Sequence, residues 1–173
     1  MEPITDFIPI CKELGPEEFA RKFPYHFLVH STLTGGSLKP LDQTRGMTVD
    51  RLVVPDGSTG PATPAIVECF TVFRLRPRAP DAPTISVGLS STCDVQVNDA
   101  SLSKVHAHFS VVGGNAFIRD ADSTSGTTVN GDAVSSAEWF PVAAGDRISL
   151  GFVEMVLLPP VEFQGFIRTL FGV

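Results

Sequence analysis

From Ile66 to Leu158 the chain is a succession of short runs rich in Val, Ile and Phe, each closed by a turn signal. The runs are Ile66–Leu75, Thr84–Val87, Asp94–Val97, His106–Val112 and Asn115–Arg119, then Thr127–Val129, Trp139–Val142, Arg147–Leu150 and Val153–Leu158. Many short strands at close spacing predict a sandwich or barrel and a mainly β fold. Gly113-Gly114 and Asn130-Gly131 read as hairpin turns, because type I′ geometry needs positive φ at both central positions.

The flanks have a different texture. Residues 1–65 read as an N-terminal extension and linker. Asp6 is placed to cap a first helix ending at Gly15, and Pro16 to open a second, with Glu17 and Glu18 at its positive end. Tyr25–His30 reads as a strand and Leu52-Val53-Val54 as a further apolar run, and the Gly, Ser, Thr and Pro of Pro55–Pro64 read as a long loop. The expected β-sandwich occupies 66–158. After Pro159-Pro160, residues 159–173 form a C-terminal helix with Phe163, Phe166, Ile167, Leu170 and Phe171 on one stripe.

Hydrophobic residues make up 43% of the 173 and charged residues 18%, the balance of an ordered globular chain. The thirteen Phe point to a substantial core. A formal net charge of −6 argues against nucleic acid as a partner. The three cysteines, Cys11, Cys69 and Cys93, have no CxxC spacing, which fits reduced thiols in the cytoplasm better than disulfides or a zinc site. No apolar stretch approaches membrane-spanning length and no signal-peptide pattern opens the chain, so the expected location is cytoplasmic.

Within the β region several elements stand in fixed order. Val87-Gly88 closes a strand, and Ser103-Lys104-Val105-His106 opens another. Asp120-Ala121-Asp122-Ser123-Thr124-Ser125-Gly126-Thr127-Thr128-Val129-Asn130-Gly131 follows, and Gly145-Asp146 precedes Arg147–Leu150. The order resembles the forkhead-associated (FHA) domain family over about residues 66–158. That resemblance implies two packed sheets and a loop face that reads phosphothreonine peptides. It assigns peptide contact to Ser103, Lys104, Thr124, Ser125, Asn130 and Leu89, and a structural role to Gly88, His106, Gly126 and Gly131. The residues themselves suit such a role. A phosphate dianion needs several hydrogen-bond donors and a positive charge, which hydroxyls at Ser103, Thr124 and Ser125 and the Lys104 ammonium can supply.

Two positions depart from the family pattern. Leu89 stands where the family has Arg after Gly88, and Ser125 where it has Asn before Gly126. Between Thr84 and Pro159 three basic residues face eight acidic ones, a net of −5 that opposes a phosphate through the overall field. Two functions fit these residues. One is a non-enzymatic phosphothreonine-peptide module in Ser/Thr kinase signalling, with a kinase or its substrate as partner. The other is a phosphate-independent adaptor or oligomerisation unit on the same fold, and the oligomeric state stays open. Catalysis is not expected, because His106 lacks an acid in any triad order. No metal or cofactor is expected, since His106 and His108 lack a third ligand at suitable spacing. Arg74, Arg76 and Arg78 alternate along one strand and read chiefly as a solvated face protecting a sheet edge.

Overall fold

The computed structural model describes residues 2–31 and 70–173. Strand β1 (Glu2–Pro3) leads through a 3-10 turn (Ile4–Phe7) into α1 (Ile8–Glu13), α2 (Pro16–Lys22) and β2 (His26–Ser31). Next come β3 (Phe70–Leu75), β4 (Ile85–Gly88), β5 (Val95–Gln96), β6 (Ala107–Val112) and β7 (Asn115–Asp120). The chain closes with β8 (Thr127–Val129), β9 (Asp132–Ala133), β10 (Phe140–Val142), β11 (Arg147–Leu150), β12 (Val153–Leu158) and α3 (Pro160–Phe171).

The strands form two sheets. One runs β1-β3-β2-β12-β11-β8-β9 and the other β10-β7-β6-β4-β5. All pairings are antiparallel except β4 with β5. Alternation along each strand sends one set of side chains between the sheets, where Leu28, Phe73, Leu75, Phe109, Ile118, Ile148, Leu150 and Leu157 make an aliphatic-rich core.

The larger sheet is buried on its other face too, which explains why Phe27-Leu28-Val29 and Met155–Leu158 read as unbroken apolar runs. There Phe27, Val29, Val72, Val156 and Leu158 meet the helices in a second core. Phe27 stacks on Phe163 with centroids 3.9 Å apart, and Phe7 meets Phe163 edge-on at 5.1 Å. Such aromatic pairs add about 0.5–1.5 kcal/mol each beyond the area they bury. Helix α3 also ties the two ends of the chain together. Gln164 Nε2 donates to the Leu14 carbonyl at 2.7 Å, and Arg168 Nη2 donates to the Cys11 and Leu14 carbonyls at 3.0 and 3.2 Å. Burial pushes the Cys11 thiol up to about 11, against the pull of Arg168.

Several expectations need adjusting. Strand β2, assigned to the N-terminal extension, lies inside the larger sheet between β3 and β12, so the sandwich draws on residues before 66. Asp6 caps nothing: it sits within the 3-10 turn, and α1 starts at Ile8 with no side-chain cap. Helix α2 does begin at Pro16, where the Gly15 N–H donates to the Glu18 carboxylate at 3.4 Å. Strands β1 and β9 are additions to the expected set. Leu52–Val54, the loop Pro55–Pro64, Cys69 and the start of the run at Ile66 lie outside the described residues.

Candidate functional site

Three connections and one hairpin turn meet at one end of the sandwich: residues 89–94, 97–106 and 121–126, and the turn Gly151-Phe152. Glycine at 88 makes the first junction possible. A Cβ there would stand 2.4 Å from the Lys104 carbonyl oxygen and 2.9 Å from the Val105 Cα, closer than backbone atoms allow. The close approach lets the Leu89 N–H donate to Ser103 O at 3.0 Å, Ser90 N–H to Lys104 O at 3.0 Å and His106 N–H to Val87 O at 2.8 Å.

His106 is fully buried and joins two of the loops. Its Nδ1 lies 3.1 Å from the Ser103 N–H, which can only donate, so Nδ1 accepts. The proton therefore sits on Nε2 and is donated to Gly126 O at 3.0 Å. Asp120, also buried, shapes the next loop by accepting from Ser123 N at 2.8 Å, Ser123 Oγ at 2.7 Å and Thr127 Oγ1 at 2.6 Å. Burial alone would push this carboxyl up, but the Thr127 and Ser123 hydrogen bonds outweigh it and hold it below the usual range. Ser123 Oγ in turn accepts the Gly126 N–H at 3.0 Å.

Ser103 Oγ accepts the Thr124 N–H at 3.0 Å, which leaves its own proton to donate outward. Lys104 and Thr124 beside it are exposed. A hydroxyl donor and an ammonium thus share one surface, on loops whose backbone is fixed from beneath. That arrangement suits an oxyanion ligand carried on a peptide.

The structure brings Gly88, Ser103, Lys104, Thr124, Ser125 and Gly126 to this end, and His106 beneath it. Ser125 is committed within the loops, its Oγ donating to Ser101 O at 2.9 Å. Leu89 is half-buried and packs against the sandwich core, so its side chain is partly withdrawn from the surface.

Asn130, which the resemblance assigns to peptide contact together with Ser103, is not brought here, and Gly131 follows it. They form a turn with φ of 52° and 94° beyond the far end of β8, four Cα steps or about 13 Å from Gly126. There the Asn130 Nδ2 donates to Asp146 Oδ1 at 2.9 Å and its Oδ1 accepts the Arg147 N–H at 2.9 Å.

Sequence reasoning missed the Asp99–Ser101 corner and the Gly151-Phe152 turn. Ser101 N and Oγ both donate to Asp99 Oδ1, at 2.8 and 2.6 Å, and these bonds hold the Asp99 carboxyl low. Ser101 Oγ also accepts the Phe152 N–H at 3.2 Å. Gly151, at φ 56°, occupies the first central position of a two-residue hairpin against Ser101 and Ser125, and its N–H donates to Gly126 O at 3.0 Å. Phe152 is left 89% exposed at the edge of the loops, the most exposed large apolar side chain among the described residues. The signals for both features, Asp-x-Ser and an isolated Gly between two apolar runs, are present in the sequence but short.

Residues 85–151 match the family model described as FHA domain. Glycogen accumulation regulator GarA of Mycolicibacterium smegmatis (strain ATCC 700084 / mc(2)155) is 36% identical over 78 residues, which cover 45% of this chain and 48% of GarA. The matched region thus spans about half the length of that relative. Among solved structures, the FhaA FHA domain is 28% identical with a TM-score of 0.43, covering 50% of this chain and 87% of that one. An FHA domain from Chlamydia trachomatis is 18% identical with a TM-score of 0.47, covering 77% and 96%. The ordered motif and the family match meet on the same strands and loops, and over residues 85–151 this chain is similar to FHA domains.

Proposed function

We propose that the loop end formed by residues 101–104 and 123–126 reads phosphothreonine in a peptide of a partner protein, as a non-enzymatic module of cytoplasmic Ser/Thr kinase signalling. The observation that carries this reading is the locked pair of loops. His106 and Asp120 spend their hydrogen bonds inside the protein, while the Ser103 hydroxyl, the Thr124 side chain and the Lys104 ammonium stay at the surface. Ligand groups fixed before binding lose little entropy when they engage. Lys104 acts as a point charge, without the two-pronged grip of Arg. With both ring nitrogens of His106 held by backbone, no base stands ready beside Ser103.

A second reading rests on Phe152 and Leu89. An exposed Phe beside the loops and a Leu where the family has Arg favour an apolar, phosphate-independent contact with a protein partner. Calorimetry with one phosphothreonine peptide and its unmodified twin separates the two. The first reading expects binding that depends on the phosphate, lost in Lys104→Ala and strengthened by roughly 10-fold in Leu89→Arg through one added charge-assisted bond. Equal affinity for both peptides, with loss in Phe152→Ala, establishes the second instead.

A further inference from the structure

On the side of the sandwich, an open cleft of about 920 Å³ runs between the β3 margin of the larger sheet and edge strand β5 of the smaller one, reaching Asp94 and Asn98 but not Ser103 or Lys104. Arg74, Arg76 and Arg78 line it together with Gln96 and Asn98. We infer that this cleft docks a second peptide segment, one rich in Asp and Glu, independently of the loop end.

The three arginines do different things. Arg74 is structural: its Nε lies 2.7 Å from the Glu2 carboxylate, and its guanidinium sits 5.5–6.0 Å from the rings of Phe7, Phe23 and Tyr25. Arg76 is exposed, with its guanidinium 5.8 Å from the Tyr25 ring. Arg78 is exposed and uses Nη1 to donate to Ser91 O at 2.8 Å. Asp94, the second acid of the cleft, is engaged by Arg78 N–H, Ser86 N–H and Ser86 Oγ at 2.7, 2.7 and 2.6 Å. Three guanidinium groups therefore share the cleft with two carboxylates, Glu2 ion-paired to Arg74 and Asp94 held by Ser86 and the Arg78 backbone. The cleft keeps a net of +1 on a chain of −6, and its outward-facing charges are Arg76 and Arg78.

Shape and backbone favour a peptide. The volume lies at the upper end of the roughly 300–1,000 Å³ that enclose a drug-sized ligand, far more than one phosphate needs. Among the described residues β5 pairs only with β4, so its outer edge offers main-chain groups to an extended chain. Gln96, whose Nε2 donates to Leu89 O at 3.2 Å, and Asn98 line the cleft, and Pro77 and Pro80 border it beside the arginines. Acidic side chains meeting Arg76 and Arg78 supply the charge complement.

The test is fluorescence anisotropy on the full chain, with a labelled Glu/Asp-rich decapeptide lacking any phosphate and its Gln/Asn twin. The acidic peptide should bind, the twin should not, and added salt should weaken binding. Arg76→Glu should reduce affinity by roughly 10-fold or more, since it replaces attraction by repulsion. Ser103→Ala and Lys104→Ala should leave it unchanged, so failure of phosphopeptide binding at the loops does not touch this inference. Thermal melting checks that each variant is folded; if Arg76→Glu melts early, the Arg76→Gln, Arg78→Gln pair should still give a clear loss. Equal binding of the twin overturns the inference, as do unchanged affinity in folded cleft variants and a loss confined to Lys104→Ala. Tighter binding of a single-stranded oligonucleotide of matched charge would also overturn it, because the cleft would then be reading charge alone.

Discussion

The two ends of strand β8 use similar residues for opposite purposes. At the Ser125–Gly126 end, buried His106 and Asp120 hold the loops from below, and hydroxyls and an ammonium remain at the surface. At the Asn130–Gly131 end the polar groups satisfy one another. Asn130 bonds Asp146 and the Arg147 N–H, and Asp146 Oδ2 accepts the Ala143 N–H at 2.7 Å. A continuous motif from Asp120 to Gly131 thus spans the sandwich, with one half shaping the surface proposed to read a peptide and the other closing a hairpin. Closeness in sequence does not decide which half does which; the direction of the intervening strand does.

Mutations at the two ends should therefore separate binding from stability. The largest effect is expected from Gly88→Ala, where the new methyl meets backbone and cannot be relieved by a side-chain rotation. Chemical denaturation should show a loss of about 3 kcal/mol, with peptide binding reduced as the loop moves. A near-neutral Gly88→Ala would mean that the junction between β4 and Lys104 is looser than the distances show.

His106→Ala comes next. It leaves the Ser103 N–H without its partner, removes one of the two donors to the Gly126 carbonyl and opens a cavity, costing about 2–3 kcal/mol and separating the two loops. Binding should fall with stability. By contrast, Asn130→Ala should cost only about 1 kcal/mol, through lost turn hydrogen bonds and strain at φ 52°, and leave binding unchanged. If Asn130→Ala abolished binding in a folded protein, the division between the two ends would fail.

The smallest effect is acidification. Asp99 and Asp120 both ionise below their ordinary value, Asp99 through the Ser101 hydrogen bonds and Asp120 through Thr127 and Ser123 acting against burial. A depressed carboxyl contributes stability that is present above its unfolded pKa and is lost as pH falls through the folded one. The melting temperature should drop as pH falls below about 4, and Asp120→Asn should flatten part of that slope from a lower starting stability. A flat profile in the parent protein would contradict the hydrogen-bonded account of these loops.

Much of this architecture is legible in the sequence. The Val, Ile and Phe runs locate the principal strands from Phe70 onward, and the paired turn residues locate the hairpins at Gly113-Gly114 and Asn130-Gly131, because a two-residue turn with positive φ at both positions leaves a chemical signature. Strands β1 and β9 are two residues long, too short to show any periodicity. The place of β2 between β3 and β12 is not legible either, since its partners lie about forty and more than a hundred residues away. Ser103 and Ser125 stand out through ordered motifs, while the turn presenting Phe152 carries only one glycine as a signal. Arg74 looks like a solvated charge because alternation reveals a face but not what covers it; the rings of Phe7, Phe23 and Tyr25 come from the N-terminal segment, about fifty or more residues away.

The most direct test of the central claim is an amide chemical-shift titration with a phosphothreonine peptide and its unmodified twin. The phosphopeptide should shift the amides of residues 101–104 and 123–126, leave those of 130–131 and 145–147 in place, and the twin should shift neither group. Equal shifts from both peptides, or shifts centred on Asn130 and Asp146, would contradict the assignment of phosphothreonine reading to the Ser103 end.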